Sequence, residues 1–269
     1  MTRNSISRYI LRSAGEVKRF RILMRVIPIV IAILVALASV VYVSSVMYNR
    51  YGSYTVTVNK FDNLNYSIAL TEYMIEDPDN PGKIIPGKPV ARLNSKASEQ
   101  IRDMDGADLP ADIDMIDGEH NGENYIAYTY YLVNNGEKTL TYEYNLYIVN
   151  TTNGVEKGVR VRLYEDGTPT TYARTKTDGT GPEEGTVEFM GESTIVRKQV
   201  TNFRPGAYTR FTIVIWIEGP DDDTTDDIIG GQFKIDMKVN IIGDSDGTPI
   251  DFENANPETV ILPATENNR

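Results

Sequence analysis

Residues 26–48 form an uninterrupted run without a charged side chain, VIPIVIAILVALASVVYVSSVMY. At a rise of about 1.5 Å per residue, this run makes a helix roughly 35 Å long, enough to cross the ~30 Å hydrocarbon core of a bilayer. Pro28 falls in the first turn of that helix, where a missing N–H costs little. The run therefore predicts a transmembrane signal-anchor over residues 26–48.

The charges on either side of this run predict its orientation. Residues 1–25 carry one acid, Glu16, and a set of basic residues: Arg3, Arg8, Arg12, Lys18, Arg19, Arg21 and Arg25. Because positively charged flanks stay on the cytoplasmic side, we expect residues 1–25 to be a basic cytoplasmic tail. The chain would then be a single-pass protein of the cell membrane, with everything after about Asn49 outside.

A cleaved signal peptide is the alternative interpretation of the same run. Ala36-Leu37-Ala38 precedes Ser39, and small residues at this spacing are typical of a cleavage site. Cleavage near Ala38 would release a secreted chain, whereas an intact run would keep it in the membrane. Both interpretations place the body outside the cytoplasm.

The rest of the chain is acidic. The head contributes +6 to a total net charge of -11, so the residues after it carry -17. An acidic body without a basic stripe argues against binding to nucleic acid. The absence of cysteine excludes disulfides, thiolate metal ligands and a cysteine nucleophile.

The body shows the two-residue periodicity of half-buried strands. Between residues 208 and 218, Phe211, Ile213, Ile215 and Ile217 lie on one face. Many such segments and almost no helical pattern predict an all-β fold, an antiparallel jelly-roll-like β-sandwich after one transmembrane helix. The predicted strands cover residues 54–60, 66–70, 124–132, 140–148, 159–164, 171–174, 186–190, 194–200, 208–218 and 232–242.

Turn residues divide the body into parts. We expect the β-sandwich to occupy residues 49–243, with a Pro-, Gly- and Asp-rich loop insertion at 77–122 and a loop-rich C-terminal tail at 244–269. The turn signal Asn134-Asn135-Gly136 predicts that the strands on either side form a long antiparallel hairpin.

Two residues, His120 and Trp216, are candidates for chemistry or recognition. His120 is the one histidine, and neither a nucleophile-elbow pattern nor a second zinc-binding histidine accompanies it. Trp216 lies on the face of its strand opposite Phe211, where it would be semi-buried or form an exposed aromatic anchor. We therefore predict no catalytic residue and a protein that is not an enzyme, with a hydrolase as a remote alternative.

Clusters of aspartate suggest a calcium site. Calcium takes several oxygen ligands from flexible loops, and Asp-x-Asp-Gly supplies two carboxylates and a tight turn. A complete EF-hand loop is absent, so solvated turns are the competing interpretation. The candidate ligands are Asp221, Asp222, Asp223, Asp226, Asp227, Asp244 and Asp246.

Several ordered blocks within residues 124–242 resemble one known family. The C-terminal block runs from Tyr208 through the strand end Trp216-Ile217-Glu218-Gly219 to an acidic loop and Gly230-Gly231. Upstream blocks are YYLVNNG at 130–136, VRVRLY at 159–164 and YAR at 172–174. Together they resemble the camelysin/TasA-type family of exported bacterial surface and biofilm-matrix proteins.

The resemblance implies a jelly-roll-like β-sandwich at the cell surface and, for some members, fibres assembled by passing a strand between subunits. Two departures from the family pattern stand out. Thr224 and Thr225 occupy the acidic loop where relatives often carry a cysteine, and the long basic head replaces a short cleaved signal. A tethered first strand would not be free for exchange.

The hypothesis from sequence is a membrane-anchored, non-enzymatic structural or adhesive protein of the bacterial surface. Its expected partners are the membrane, through one helix, and further copies of itself or other surface and matrix proteins. A ligand-binding surface module with Trp216 as its contact residue is the main alternative.

Overall fold

The computed structural model describes residues 24, 26–44, 54–58, 65–94 and 100–250, and it divides the chain into two compact units, Met1–Arg50 and Tyr51–Arg269. In the first unit, Val26–Ser44 is helical and none of it is buried. Among the described residues, this is the one helix long and apolar enough to cross a membrane. The basic tail 1–25, apart from Met24, and residues 45–48 of the expected anchor lie outside the described residues.

Strands are the main regular structure in the described part of the second unit, as the period-two patterns predicted. Its described strands are β1 (Thr55–Val58), β2 (Ile68–Thr71), β3 (Met74–Glu76), β4 (Ile84–Pro86), β5 (Arg92–Asn94), β6 (Asp103–Met104), β7 (Gly118–Glu119), β8 (Tyr125–Asn134), β9 (Leu140–Thr151), β10 (Val159–Glu165), β11 (Thr168–Ala173), β12 (Val187–Glu188), β13 (Thr194–Phe203), β14 (Tyr208–Glu218) and β15 (Phe233–Asp244). Single turns of 3₁₀-helix occur at Gly106–Asp108, Ile113–Met115, Val155–Lys157 and Asp226–Ile228.

Two sheets face each other across one core. The first sheet has the order β13-β9-β15-β1-β5, and the second has the order β12-β11-β10-β14-β8-β2, with β6 added to β14 and β7 to β8. Strands β3 and β4 form a separate small hairpin. The predicted all-β sandwich preceded by one helix is therefore confirmed.

Aromatic side chains from both sheets fill the centre of this core. Tyr130 and Phe211 stack within the second sheet with ring centroids 5.7 Å apart, and Tyr144 of the first sheet meets Phe211 edge-on at 5.3 Å. All three are fully buried. Offset and edge-to-face contacts of this kind stabilise a core beyond the area that they bury.

The predicted hairpin of β8 and β9 is wrong. β8 pairs with β14 and β2, whereas β9 pairs with β13 and β15, so the two strands belong to opposite sheets. Their connecting loop is held by the buried Asn134 side chain, whose Nδ2 donates to Lys138 O and Phe203 O at 2.9 and 2.8 Å. A turn signal and alternation specify two strands and a tight loop, but they do not specify the sheet that each strand joins.

The first strand of the body occupies an interior position. β1 runs parallel to β15, with Val56 opposite Met237, and antiparallel to β5. Val56 is fully buried. The last two residues of the predicted strand 54–60 lie outside the described residues.

The predicted insertion 77–122 contains short strands as well as loops. Its second half, residues 100–122, lies over the outer face of the second sheet and is named the strap. Ile113 of the strap is fully buried against Ala127, Val214 and Trp216, which form a small second core. The tail begins at Asp244, the last residue of β15, and its residues 251–269 lie outside the described part.

Candidate functional site

A polar cavity of about 790 Å³ opens on the outer face of the second sheet. We name it the acidic pocket. Strands β10 and β11 form its floor, loops 175–186 and 220–223 form its sides, and strap residues 105–107 form the remaining wall. Its lining residues therefore come from three stretches that are distant in sequence, 105–107, 160–186 and 216–223.

Arg160 and Arg162 both point into the acidic pocket from β10, because alternate residues of a strand point to the same side of the sheet. The guanidinium carbon of Arg162 lies 5.0 Å from the ring centre of Trp216, and its Nε donates to Thr171 Oγ1 at 2.9 Å. Arg160 is 4% exposed. A buried guanidinium requires a carboxylate partner, and the two side loops supply it.

Three carboxylates converge above Arg160. Oxygen atoms of Glu183, Asp221 and Asp223 all lie within 4.8 Å of one another. Nη2 of Arg160 donates to Asp221 Oδ2 at 2.5 Å and lies 3.5 Å from Glu183 Oε2. Lys176 approaches Glu183 at 4.0 Å.

Local backbone contacts fix these carboxylates in place. The N–H of Asp223 donates to Asp221 Oδ1 at 2.8 Å, and the N–H of Thr177 donates to Asp223 Oδ2 at 2.8 Å. The second bond joins the loop at 175–186 to the loop at 220–223. Hydrogen bonds from the backbone therefore hold the carboxylates of Asp221 and Asp223 in position.

Negative charge accumulates at this site. Burial, followed by the neighbouring Asp221 carboxylate, raises the pKa of Glu183 above its usual range, although Arg160 and Lys176 oppose that shift. A raised carboxyl pKa means that ionised Glu183 is less stable here than in water. A cation bound between the three carboxylates would relieve that repulsion.

Trp216 forms the boundary between the acidic pocket and the strap. Its Nε1 donates to Glu218 Oε2 at 2.7 Å, and the N–H of Gly106 donates to Glu218 Oε1 at 3.1 Å. Gly106 packs so closely that a Cβ there would lie 2.8 Å from the indole ring. Trp216 is 1% exposed, so the expected packing in a core is confirmed and the alternative, an exposed aromatic anchor, is wrong.

The structure separates the seven aspartates proposed as calcium ligands. Asp221 and Asp223 meet, and Asp222 lines the same pocket with an exposed side chain outside the group of three. Asp226 and Asp227 begin an exposed 3₁₀ turn.

The last two candidates lie elsewhere. Asp244 ends β15, and its Oδ1 accepts from Ser245 N, while Asp246 Oδ1 accepts from Thr248 N. The length of β15 separates this turn from the loop at 220–231. Asp244 and Asp246 therefore cap their own turn.

Glu183 was missed from the sequence. It lies in a Gly- and Thr-rich loop 38 positions before Asp221, and no ligand spacing connects the two. Only the side-by-side arrangement of two long loops brings them together.

His120 lies on the strap, away from the residues that line the acidic pocket. Its Nδ1 is 2.9 Å from Gly118 O and its Nε2 is 2.7 Å from Ile113 O. Both ring nitrogens therefore face backbone carbonyls, and neither faces a nucleophile.

Comparisons with known proteins add little. No protein-family model and no curated protein matches this chain. A crystal structure of β-glucosidase from Kluyveromyces marxianus in complex with glucose aligns over 70% of this chain and 16% of its own length, at 12% identity and a TM-score of 0.24. A TM-score of that size carries no inference about fold or activity.

Proposed function

We propose that this chain is a membrane-tethered, extracytoplasmic β-sandwich of the camelysin/TasA type, with a structural or adhesive role at a bacterial surface and no catalytic activity. The helix Val26–Ser44 carries the proposal. Its apolar side chains are exposed along its whole length, so burial in lipid would stabilise them by about 25 cal/mol per Å² of apolar surface. The basic residues before it favour a cytoplasmic N-terminus.

A non-enzymatic role is supported by how the titratable groups are used. The ring nitrogens of His120 face carbonyls, and Asp221 forms an ion pair with the buried Arg160. Groups held in this way are positioned to stabilise the fold rather than to exchange protons with a substrate.

Calcium is the ligand that we propose for the acidic pocket. Hard oxygen ligands from flexible loops suit this ion, and surface modules bind it with dissociation constants of about 10⁻⁴ to 10⁻³ M. Glu183, Asp221 and Asp223 would supply those oxygens, with Arg160 limiting the net charge. A bound ion would join the loops at 175–186 and 220–223.

A ligand-binding module remains the second candidate, and the size of the acidic pocket favours it. A cavity of about 790 Å³ is within the range used for small molecules. Its mixed lining of arginine and carboxylate would suit a polar ligand. In this case the pocket, rather than Trp216, would make the contact.

Besides the membrane, the partner that we propose is a second copy of this chain. β1 is a short strand at the N-terminal end of the body, and it completes the first sheet by pairing with β15 and β5. If the chain were cleaved near Ala38, this strand would be free of the anchor and could be supplied by a second copy. An intact anchor favours a tethered monomer.

Topology can be tested with single cysteines, because the native chain has none. We expect a membrane-impermeant maleimide to label Gln199→Cys, on an exposed position of β13, in whole cells. Ser13→Cys in the basic head is the matched control and should react only after lysis. N-terminal sequencing of the same membrane fraction should return an intact head.

The opposite labelling pattern would contradict the proposed orientation. A mature chain starting at or near Ser39 in the medium would contradict tethering, and it would favour the self-associating form.

Calcium binding should be visible as a shift in melting temperature. At about ten times the dissociation constant, an ion that binds only the folded state adds about 1.4 kcal/mol, or roughly 3–5 °C for a body of this size. We expect this rise for the full-length protein in detergent on changing from chelator to about 5 mM calcium.

Asp223→Asn should abolish the calcium effect while keeping an acceptor for Thr177 N. Asp226→Asn, an exposed acid outside the group of three, should leave it unchanged. Equal melting temperatures with calcium and with chelator would refute the site.

A further inference from the structure

The strap is fastened to the second sheet by several polar contacts. Asp114 Oδ2 accepts from Arg210 at 2.8 Å, and Asp117 Oδ1 accepts from the Tyr131 hydroxyl at 2.7 Å. Burial, followed by the hydrogen bond to Asp117, raises the pKa of Tyr131 to about 12, so this hydroxyl remains a donor at neutral pH. Further along the strap, the backbone N–H of His120 donates to the backbone oxygen of Ala127 at 3.0 Å.

The ring of His120 joins two parts of the strap. Its Nε2 reaches Ile113 O, at the buried residue of the second core, and its Nδ1 reaches Gly118 O in β7. Both distances, 2.7 and 2.9 Å, are those of hydrogen bonds. The ring therefore holds the turn at 113–118 closed.

A carbonyl oxygen only accepts hydrogen bonds, whereas a neutral imidazole has one N–H donor and one lone-pair acceptor. Two carbonyls facing both ring nitrogens can be satisfied together only by the doubly protonated imidazolium. The neutral ring leaves one oxygen facing a nitrogen lone pair.

The surroundings of His120 are rich in carboxylates. Asp114, Asp117 and Glu119 lie within six residues of it along the strap. On β14 beneath the strap, Arg210 forms an ion pair with Asp114. Besides His120, the titratable and charged groups of the strap and of β8 and β14, together with Arg162 and Tyr164 of β10, are Arg102, Asp103, Asp105, Asp108, Asp112, Asp114, Asp117, Glu119, Tyr125, Tyr128, Tyr130, Tyr131, Tyr208, Arg210 and Glu218.

We propose that His120 is a proton-operated clasp that holds the strap closed over Trp216 when charged and releases it when neutral. Opening would uncover the indole and withdraw Gly106, which forms one wall of the acidic pocket. The effect on the pocket rests on the proposed calcium site, whereas the opening of the strap does not.

The sign of the pH effect follows from the two carbonyls. The stabilisation is present while the ring is charged and is lost as the pH rises and the ring deprotonates. Histidine side chains change charge within about pH 5 to 8. The strap should accordingly be more closed at the acidic end of that range.

The chain suits a direct test because it contains one histidine and one tryptophan. Hydrogen exchange of the full-length protein in detergent, corrected for the intrinsic pH dependence of exchange, measures strap opening. Losing one hydrogen bond of ordinary strength corresponds to a roughly fivefold larger open population. We expect protection of residues 113–120 to fall roughly fivefold between about pH 5.5 and pH 8.

His120→Gln should abolish this pH step, since its side chain does not titrate. Asn121→Ala is the matched control. Asn121 Oδ1 accepts from Ala127 N at 3.0 Å, so its loss should loosen the strap at every pH and preserve the step. Far-ultraviolet circular dichroism, which reports the two sheets rather than the cover over Trp216, checks that both variants are folded.

Nitrogen-15 shifts of the single histidine provide a test without a variant. Both ring nitrogens should carry protons under the conditions in which the strap is protected. Equal protection at both pH values, a step that persists in His120→Gln, or a ring with one proton in the closed state would each overturn the proposal. If calcium leaves the melting temperature unchanged while the pH step in hydrogen exchange is present, the calcium site is rejected and the His120 clasp is retained.

Discussion

Phe211→Ala should lower the free energy of unfolding of the body by about 4 kcal/mol. Phe211 is fully buried and lies between Tyr130 of its own sheet and Tyr144 of the facing sheet. Removing the ring discards both aromatic contacts and leaves a cavity between the sheets that neighbouring side chains fill only in part. Thermal melting should show a fall of about 8–16 °C.

Tyr208→Ala is the control for this prediction, because it truncates an aromatic ring at the start of the same strand. Tyr208 is 47% exposed and contacts Tyr131 edge-on. We expect a loss of about 1 kcal/mol or less there. Similar losses for the two variants would mean that the sheets do not meet at Phe211.

Asp221→Ala should cost about 3 kcal/mol, measured by denaturant unfolding in the presence of chelator. The side chains of Arg160 and Asp221 are 4% and 3% exposed, so removing the carboxylate leaves a buried guanidinium without its main partner. Glu183 lies 3.5 Å from the same nitrogen and retains part of the interaction. The expected loss of stability is therefore at the lower end of the range of about 3–5 kcal/mol for breaking a buried ion pair.

Asp222→Ala, one position along, is the matched control and should change stability by less than about 0.5 kcal/mol, because its side chain is exposed. Adding Arg160→Met to Asp221→Ala should recover most of the loss, since the uncompensated charge is then gone. A double variant as unstable as the single one would show that the charge is not the cause.

Much of the local structure could be predicted from the sequence. The apolar run gave the helix at Val26–Ser44, and alternation placed β14 with the bounds that the structure shows, Tyr208–Glu218. The predicted shared face of that strand, Phe211, Ile213, Ile215 and Ile217, packs against the core, with Ile217 only partly buried. These features depend on residues that are neighbours along the chain, so a short window of sequence contains the information.

The candidate site could be predicted only in part. The aspartate-rich loops predicted Asp221 and Asp223 as ligands, but the same pattern also predicted Asp244 and Asp246, which cap a separate turn. Glu183 carries no local signal. A spatial cluster depends on which loops lie side by side, and composition does not contain that information.

The sequence by itself determined an apolar helix, an acidic body and the positions of most strands, because hydrophobic period and charge act over a few residues. Only the tertiary structure decided that β8 and β9 join opposite sheets, that the strap covers Trp216, and that Glu183 meets Asp221 and Asp223 above Arg160. These contacts join residues far apart in the chain. Their partners are selected by the burial of whole faces and the pairing of buried charges, which exist only once the two sheets have closed on each other.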